Sequence, residues 1–373
     1  MKILHIITGL GDGGAEGVLT RLCTNSEYVD HVVISLTDEG KYGAQLRKAG
    51  IDVHCLNISK NFNSILSFWQ LYKLIKLIKP QVIQTWMYHA DLLGGVAAKF
   101  AGVEDVFWGV RHSNLTPGTV KKSTILIAKT CALLSKYIPK KIICCSVDAV
   151  KTHIDIGYES DKFITIPNGY CLDRFKPCLD TSYLDVEFEL QGSLLVGMVG
   201  RFDIQKDHMN LFSAISKIKH EYPTIKCLLV GNEMTSTNQE LMTLIERSGC
   251  SEQLILLGKR TDVPFIMNKI DIHILSSLGE AFPNVIAEAM ACGTPCVSTD
   301  VGDASLIVGD TGWIVPAQDS NALASALRNA FYELLSDSML WNERQILARK
   351  QIVNKFELGS MVDFYIQVWR GGK

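Results

Sequence analysis

Short apolar runs of strand length alternate with helical patterns along almost the whole chain. The runs are rich in Ile and Val, and the intervals between them carry apolar residues three or four positions apart. This alternation is typical of a parallel sheet with helices on both faces. The predicted strands are Ile3–Thr8, His31–Leu36, Val53–Leu56, Val82–Gln84, Val106–Val110, Lys141–Cys145, Phe163–Ile166, Leu194–Val199, Ile225–Val230, Leu254–Leu257, Ile272–Leu275, Pro295–Ser298 and Trp313–Val315.

The alternation is interrupted once, where residues 181–192 are polar and acidic with no clear period. This segment is predicted to be a linker, and a chain of 373 residues is long enough for two cores. The expected fold class is α/β, with two Rossmann-like doubly wound domains, 1–180 and 193–355, facing across a cleft. Residues 356–373 are predicted to form a helix that crosses back to the first domain. Ligands of such sheets bind beyond the carboxyl ends of the strands, so the active site is expected in the cleft.

A glycine-rich loop, GLGDGG from residue 9, follows the first predicted strand. Gly11, Gly13 and Gly14 would let backbone N–H groups approach a phosphate or a sugar at a helix N-terminus. The same pattern also fits a plain tight turn or a nicotinamide dinucleotide site, for which Asp38 and Glu39 could supply the acid. The loop alone therefore leaves three interpretations open.

Two cations, Arg201 and Lys206, follow the first strand of the second domain and precede a predicted helix. Arg holds phosphate oxygens in a bidentate manner and Lys adds a compact charge, so the pair could stabilise a diphosphate leaving group. The alternative is a solvated helix entrance. No Asp-x-Asp follows a predicted strand, so the usual carboxylate ligands of a divalent metal are missing and metal-independent chemistry is expected.

The third candidate element is the stretch SSLGEAFPNVIAEAMACGTP, which begins at residue 276 and places Glu280 and Glu288 eight residues apart. Pro283 and Asn284 suit a helix start. Glu280 is therefore expected in the loop before this helix. Glu288 is expected about one turn inside an apolar helix, where a carboxylate needs a partner and a ribose diol would provide one.

These motifs occur in the order typical of glycosyltransferase family four, which the chain resembles over essentially its full length. The resemblance rests on GGAE at residues 13–16, IPNG at residues 166–169, Arg201 with Lys206, and the two glutamates. It implies the GT-B fold, with an acceptor-side first domain and a donor-nucleotide second domain. It also implies a retaining transfer from a nucleotide diphosphate-sugar, for which UDP is the family's commonest carrier.

The resemblance further implies roles for single residues. The leaving diphosphate would itself take the acceptor proton while two cations stabilise it. The implied ligands are Arg201 and Lys206 for the diphosphate, Glu288 for the ribose, Arg260 near the base, and Glu280 with the loop through Phe282, Pro283 and Asn284 for the transferred sugar.

Residues that follow strands of the first domain supply further candidates. His112 stands where the family places a histidine that faces the donor sugar, and its alternative is a structural role. Arg111 and Asn114 are second candidates for this position. His89 and Asp91 could face the acceptor instead.

The net charge of −2 hides an asymmetry between the two halves. Residues 1–180 carry 21 Lys and Arg against 16 Asp and Glu, whereas residues 181–373 carry 16 against 23. The segment Thr119–Lys141 holds six lysines and no acid among its apolar residues. A basic amphipathic helix favours peripheral docking on an anionic membrane. A helix with one buried face and one solvated lysine face gives the same pattern.

The N-terminus runs straight into the first predicted strand, and no apolar run reaches the roughly 18–20 residues of a membrane span. We therefore expect a cytoplasmic protein, placed peripherally on the inner face of the plasma membrane if Thr119–Lys141 docks there. No recognisable nucleic-acid module is present, and no nucleic-acid partner is expected.

The sequence thus predicts a glycosyltransferase of the hexosyltransferase type that needs no metal and no cofactor. Its donor would be a nucleotide-sugar, UDP-sugar by the resemblance. Its acceptor would be a glycan or a lipid-linked glycan in the synthesis of cell-surface polysaccharide or glycoconjugate. Three alternatives stay open: a nucleotide-sugar epimerase of the same architecture, an NAD-dependent oxidoreductase, and a non-catalytic nucleotide-binding module.

Overall fold

The computed structural model describes residues 1–58, 64–113, 115, 120–177 and 180–371. Its contacts divide the chain into two compact units. Unit 1 contains Met1–Gly169 and the segment that begins at Leu358, and unit 2 contains Tyr170–Glu357. Each unit has one parallel sheet with helices packed against it, so the predicted α/β class is confirmed.

The sheet of unit 1 has seven strands, which are buried by helices because their Ile- and Val-rich side chains point to both faces. The strands are β1 (Lys2–Ile7), β2 (Asp30–Ser35), β3 (Asp52–Cys55), β4 (Val82–Trp86), β5 (Val106–Val110), β6 (Lys141–Cys144) and β7 (Phe163–Thr165). Their spatial order is β3-β2-β1-β4-β5-β6-β7, with parallel pairing throughout the described residues. The order reverses between β1 and β4.

In the described part of unit 1, seven α-helices cover this sheet. They are α1 (Gly14–Thr24), α2 (Gly40–Lys48), α3 (Ser64–Ile78), α4 (Tyr88–Phe100), α5 (Lys122–Ser135), α6 (Val147–Asp155) and, from the C-terminal segment, α15 (Leu358–Trp369). α4 packs between α3 and α5, and α15 packs against α1. α6 begins at Val147 because the Ser146 hydroxyl caps it, accepting from the backbone N–H of Ala149 at 3.1 Å.

The sheet of unit 2 has six strands in the same doubly wound style. The strands are β8 (Leu194–Val199), β9 (Ile225–Val230), β10 (Leu254–Gly258), β11 (Ile272–Leu275), β12 (Cys296–Thr299) and β13 (Trp313–Val315). Their order is β10-β9-β8-β11-β12-β13, again parallel throughout. The order reverses between β8 and β11.

Eight α-helices complete the described part of unit 2. They are α7 (Ser182–Phe188), α8 (His208–Ile218), α9 (Gln239–Ser248), α10 (Val263–Lys269), α11 (Asn284–Ala291), α12 (Ala304–Val308), α13 (Ser320–Ser336) and α14 (Ser338–Lys355). α8 is capped by Asp207 and α9 by Asn238. Among the described residues, no helix has the length and apolar character to cross a membrane.

The segment 181–192 departs from the predicted linker. Most of it is helix α7, and Leu184 and Leu190 are buried against Ile266 and Ile270 of unit 2. The helix was missed because it is short and buries only a narrow apolar side, which leaves no visible period in the sequence. The division between the units therefore falls after Gly169 rather than at residue 180.

Candidate active site

Two loops of unit 2 meet at the carboxyl edge of its sheet. One loop runs from β8 to α8 and carries Arg201 and Lys206, and the other runs from β11 to α11 and carries Glu280. β8 and β11 are neighbours, and the strand order reverses between them. The carboxyl ends beside such a reversal form the ligand-binding crevice of doubly wound sheets.

Lys206 and Glu280 form an ion pair although 74 residues separate them in the sequence. The Lys206 Nζ lies 2.5 Å from Glu280 Oε1, and the two side chains are only 18% and 20% exposed. Ser277 Oγ donates a hydrogen bond to the same carboxylate oxygen at 2.9 Å. Two donors thus neutralise and orient a carboxylate that is largely removed from water. The structure brings together two of the residues predicted to be catalytic.

Further hydrogen bonds hold the two loops against each other. The Leu278 N–H donates to the Gln205 carbonyl at 2.7 Å, and Ser276 Oγ donates to the Lys206 carbonyl at 2.8 Å. Thr299, at the end of β12, donates to the Ser277 carbonyl at 2.8 Å. Both serines are fully buried, so their hydroxyls act inside the protein. The ion pair is held by a continuous hydrogen-bonded frame.

Arg201 is the more exposed of the two predicted diphosphate ligands. Its side chain is 61% exposed, and its Nε donates to Asp203 at 3.0 Å. Burial opposes the ionisation of Asp203, but hydrogen bonds from the Gln205 N–H and from Arg201 outweigh burial and lower the pKa of its carboxyl. An exposed ion pair of this kind contributes little to stability. Arg201 can therefore turn toward an incoming anion at small cost.

Two neutral histidines lie near Lys206. His273 is on β11 and His208 begins α8, and both are buried. Burial, followed by the positive charge of Lys206, lowers the pKa of His273 to about 3 and the pKa of His208 to about 4. Both rings are therefore uncharged at neutral pH, and they leave the positive charge of the site to Lys206 and Arg201.

The residues that lead into α11 offer mainly their backbone to a ligand. Phe282 is buried, and its ring packs edge-on against Phe356 with the centroids 5.6 Å apart. Pro283 has no N–H and occupies the N-cap position, where it provides no side-chain cap. The N-terminal end of α11 therefore presents N–H groups and the positive end of the helix dipole at the carboxyl edge of the sheet.

Asn284 and Glu288 lie one turn apart on α11. Tyr170 donates its hydroxyl hydrogen to Asn284 Oδ1 at 2.7 Å, which turns the amide nitrogen of Asn284 away from Tyr170. Glu288 is half-buried and follows Asn284 by four positions, so the two side chains lie on one face of the helix. The predicted sugar and ribose ligands thus share that face.

Two glycines allow close approach of backbone to these loops. A Cβ on Gly231 would lie 1.9 Å from the Gly200 carbonyl oxygen, and a Cβ on Gly302 would lie 2.3 Å from the Glu280 carbonyl oxygen. Both glycines also have positive φ, at +151° and +55°. A larger residue at either position would displace a loop that carries a candidate ligand.

Arg260 was predicted to lie near the donor base, but it is built into an ion-pair network. Its guanidinium donates to both carboxylate oxygens of Glu187, at 2.6 and 3.2 Å, and to those of Asp262, at 2.9 and 2.7 Å. It also lies over the Phe188 ring. Its N–H groups meet carboxylates that tie α7 to the loop after β10. A place for Arg260 near the donor base stays a prediction.

The glycine-rich loop of unit 1 joins β1 to α1. α1 begins at Gly14, and Gly13 is its N-cap. Gly11, Gly13 and Gly14 are not among the glycines with positive φ, and a Cβ on Gly11 would meet nothing within 4 Å. These three positions therefore do not need glycine for the backbone conformation of a tight turn. Gly11 instead has an open side next to a helix N-terminus.

His112 lies two residues beyond β5 and is half-buried. Its neighbour Arg111 donates to Asn168 Oδ1 at 2.7 Å and to the Tyr365 hydroxyl, and its guanidinium lies 4.9 Å from the centre of the Trp86 ring. Arg111 therefore braces unit 1 and is not available as a substitute for His112. The other second candidate, Asn114, lies outside the described residues.

Asp91 was predicted to be able to face the acceptor, and this is wrong. The side chain is fully buried, and Oδ1 accepts from the Thr85 hydroxyl at 2.5 Å and from the Gly109 N–H at 3.4 Å. Burial raises the pKa of Asp91 to about 8 although these hydrogen bonds oppose the shift. α4 turns this residue inward, whereas the neighbouring His89 is half-buried. A role for His89 stays a prediction.

A group of His5, Cys23 and His31 in the core of unit 1 has metal-like spacing, but three of its four histidine nitrogens are hydrogen-bonded within the fold and His31 Nε2 is buried without a hydrogen-bond partner among the described residues. Trp86 Nε1 donates to His5 Nδ1 at 3.2 Å, so the His5 proton is on Nε2, which lies 2.9 Å from His31 Nδ1. Burial lowers the pKa of both histidines. A metal at this place would have to break the chain of hydrogen bonds.

Comparison with known proteins identifies the family. Residues 193–332 match the model described as glycosyl transferases group 1, and residues 16–136 match glycosyl transferase 4-like. The chain is a group 1 glycosyltransferase. The resemblance to family four is thereby confirmed, and so is the enzyme class, a glycosyltransferase of the hexosyltransferase type.

Named relatives cover most of the glycosyltransferase. It is 29% identical over 325 residues to UDP-Gal:alpha-D-GlcNAc-diphosphoundecaprenol alpha-1,3-galactosyltransferase of Escherichia coli, covering 83% of this chain and 80% of that protein. It is 23% identical over 363 residues to the capsular polysaccharide biosynthesis glycosyltransferase CapM of Staphylococcus aureus, covering 87% of this chain and 93% of that protein.

Solved structures support the fold. Anabaena Alr3699/HepE in complex with UDP and glucose superposes on the glycosyltransferase with a TM-score of 0.86, at 21% identity and with full coverage of both chains. Sucrose-phosphate synthase from Thermosynechococcus elongatus gives 0.81 at 18% identity, with 100% and 99% coverage. These likenesses confirm the two-domain GT-B fold.

Sequence reasoning missed two residues that support the candidate ligands of the glycosyltransferase. Ser277 lies three positions before Glu280, so its place in the motif was a signal that could have been used. Tyr170 stands 114 residues before Asn284, and nothing in the local sequence links the two. Such partners become visible only when the chain is folded.

Proposed function

We propose that the glycosyltransferase is a retaining, metal-independent enzyme that moves a sugar from a UDP-sugar to a glycan or lipid-linked acceptor in cell-surface polysaccharide synthesis. The names of its relatives support this proposal. The Escherichia coli relative is named for UDP-Gal and a diphosphoundecaprenol-linked acceptor, CapM for capsular polysaccharide, and the Anabaena structure for bound UDP and glucose.

The observation that carries the proposal is the Lys206–Glu280 ion pair at the strand-order reversal of unit 2. An ammonium group has three N–H donors, so Lys206 can hold Glu280 and a diphosphate oxygen together. Glu280 would then stay close to the transferred sugar while Lys206 faces the bond that breaks. Arg201, which is exposed beside this pair, adds a bidentate donor for the same diphosphate.

Charge development explains why these groups suffice. Negative charge grows on the diphosphate as its bond to the sugar breaks, and preorganised donors lower the barrier by about 3 kcal/mol each. In the proposed front-face route, the leaving oxygen takes the proton of the acceptor hydroxyl on the side from which the acceptor attacks. Lys206 and Arg201 would supply the stabilisation that a divalent metal gives elsewhere.

The remaining candidates have supporting parts in the proposal. Glu288 and Asn284 would bind the ribose and the sugar from one face of α11, and the backbone of residues 280–284 would approach the diphosphate. In unit 1, the loop with Gly11, Gly13 and Gly14 would approach the donor, and His112 would face the sugar. The acceptor is proposed to be at a membrane surface, which Thr119–Lys141 would contact.

A thermal-shift screen of the full chain tests the donor. UDP-, GDP-, ADP- and TDP-sugars and NAD are compared in EDTA and in Mg²⁺, because a ligand that binds the folded state raises its melting temperature. We expect a UDP-sugar to give the largest shift, and turnover to need an acceptor. Turnover without an acceptor would support an epimerase, stabilisation by NAD alone would support an oxidoreductase, and a strict need for Mg²⁺ would contradict metal independence.

A further inference from the structure

The positive charge of unit 1 is concentrated on three neighbouring helices. Residues 64–100 and 120–141, which contain α3, α4 and α5, carry ten lysines. The one acid in these two segments, Asp91, is buried, and burial raises its pKa to about 8. Between the segments lie Glu104 and Asp105, and Asp105 pairs with Lys140 at 2.7 Å. α4 packs between the other two helices, so their outward sides adjoin on one side of the unit. We call the exposed side chains of this side the basic face.

The outward side of α5 mixes lysines with large apolar side chains. Lys122, Leu126, Lys129, Leu133 and Lys136 are exposed and recur every three or four positions, which places them on one face of the helix. Leu126 is 67% and Leu133 is 77% exposed, whereas the opposite side of the helix is buried. A solvated lysine face would not need these leucines.

α3 and the end of α4 present the same combination with aromatic side chains. Trp69, Lys73 and Leu77 are exposed on α3, again three or four positions apart. Phe100, at the end of α4, is 72% exposed, and its ring packs edge-on against Phe68 with the centroids 5.6 Å apart. Phe68 in turn meets Trp69 at 5.8 Å. An aromatic cluster therefore joins the two helices at the surface.

We infer that the basic face docks on a bilayer that contains anionic phospholipid. Lysines are attracted to the negative surface, while Trp, Phe and Leu side chains enter the headgroup region. The basic face combines lysines with exposed Trp, Phe and Leu side chains. An anionic bilayer offers negative charge to the lysines and hydrocarbon to the apolar side chains. The link between this membrane contact and a lipid-linked acceptor rests on the proposed function. The contact surface extends from α5 to α3 and α4.

Trp69 provides a built-in reporter of this contact. The chain has six tryptophans, and Trp69 is 52% exposed. The other five are buried or partly buried: Trp86, Trp108, Trp313, Trp341 and Trp369. If the basic face enters the headgroup region, the emission of Trp69 shifts to the blue, and brominated lipid quenches it.

The test uses the full chain without donor, and vesicles of phosphatidylcholine alone or of equal parts phosphatidylcholine and phosphatidylglycerol. Binding is followed by co-sedimentation and by tryptophan emission at low salt. We expect binding to the anionic vesicles with a blue shift that Trp69→Phe removes. The double variant Lys129→Glu/Lys136→Glu should bind about tenfold more weakly or worse. The matched control Lys350→Glu/Lys355→Glu, on exposed positions of α14, should bind like the unaltered chain.

Several results would overturn the inference. These are no binding to anionic vesicles at low salt, sedimentation without a change in Trp69 emission, or an equal loss in the α14 control. Capture by heparin in place of vesicles would point to a soluble polyanion, and concentration-dependent association that Lys129→Glu/Lys136→Glu abolishes would point to a second copy. Because no donor is present, these failures are separate from failure of the donor screen.

Discussion

The two units repeat one architecture, but they use the charged residues behind their strands in opposite ways. In unit 2, Lys206 pairs with Glu280 and Arg201 pairs with Asp203, and these loop side chains stay at least partly exposed. In unit 1, Arg111 and Asp91 occupy similar places but are bonded into the fold. A charged residue that follows a strand is therefore not a catalytic candidate by its position alone. The partners of the side chain decide whether it can meet a ligand.

The sharpest test of this comparison removes a charge from unit 2. Lys206→Ala should lower turnover of the confirmed donor about 100–1000-fold, because one preorganised donor to the leaving group is lost. Lys269→Ala is the matched control. Lys269 pairs with Asp185 in the same unit, at 2.6 Å and with 18% of its side chain exposed. Initial rates of both variants are compared at saturating donor.

Equal losses of turnover in Lys206→Ala and Lys269→Ala would contradict this difference between the units. Near-normal turnover of Lys206→Ala with a lowered melting temperature would also contradict it. Either result would make the Lys206–Glu280 pair a structural feature like the Arg260 network.

Ser277 should act through Glu280 rather than independently. A hydrogen bond to a charged group contributes about 1.5–3 kcal/mol, so Ser277→Ala should lower kcat/KM for the donor roughly tenfold or more. In the double variant Ser277→Ala/Glu280→Gln, most of this loss should vanish relative to Glu280→Gln alone. Ser298→Ala is the control, since Ser298 is equally buried and its hydroxyl donates to the Thr299 carbonyl at 2.8 Å. Additive losses would contradict the proposed link.

Tyr170 tests whether the Asn284 amide must be oriented. Tyr170→Phe removes one neutral hydrogen bond, so KM for the donor should rise by about threefold to tenfold with little change in kcat. Tyr88→Phe is the matched control, because Tyr88 is also buried and its hydroxyl lies 2.7 Å from His153 in unit 1. Equal kcat and KM for the two variants would show that Tyr170 does not orient Asn284 for the donor.

Asp91 should affect stability but not catalysis, and its effect depends on pH. The unfolded chain releases the Asp91 proton near pH ~4, whereas burial holds the proton to about pH 8 in the folded protein. The contribution of the protonated carboxyl is thus complete at low pH and is lost as pH rises through 8. The melting temperature of the unaltered chain, relative to Asp91→Asn, should fall between pH 5 and pH 8. A constant difference would contradict the buried protonated state.

The sequence predicted the strands well because buried parallel strands are continuous Ile- and Val-rich runs, whatever their neighbours are. It also placed Lys206 and Glu280 on loops, since strand–loop–helix order fixes which residues lie at the carboxyl edge. It could not show that Arg260 is held by Glu187, 73 residues away, or that Phe282 packs on Phe356. The helix within 181–192 could not be predicted either, because the residues that bury its apolar side lie on and beside α10, about 80 residues later in the chain.

We propose above that Lys206 and Arg201 of unit 2, and not a metal ion, hold the donor diphosphate. Calorimetric titration of the full chain with UDP, in EDTA and in Mg²⁺, tests it most directly. We expect the unaltered chain to bind UDP with equal affinity in both buffers. Arg201→Ala/Lys206→Ala should bind UDP about a hundredfold more weakly, since two charge-assisted hydrogen-bonding groups are lost. UDP binding that requires Mg²⁺, or that the double variant retains in EDTA, would contradict it.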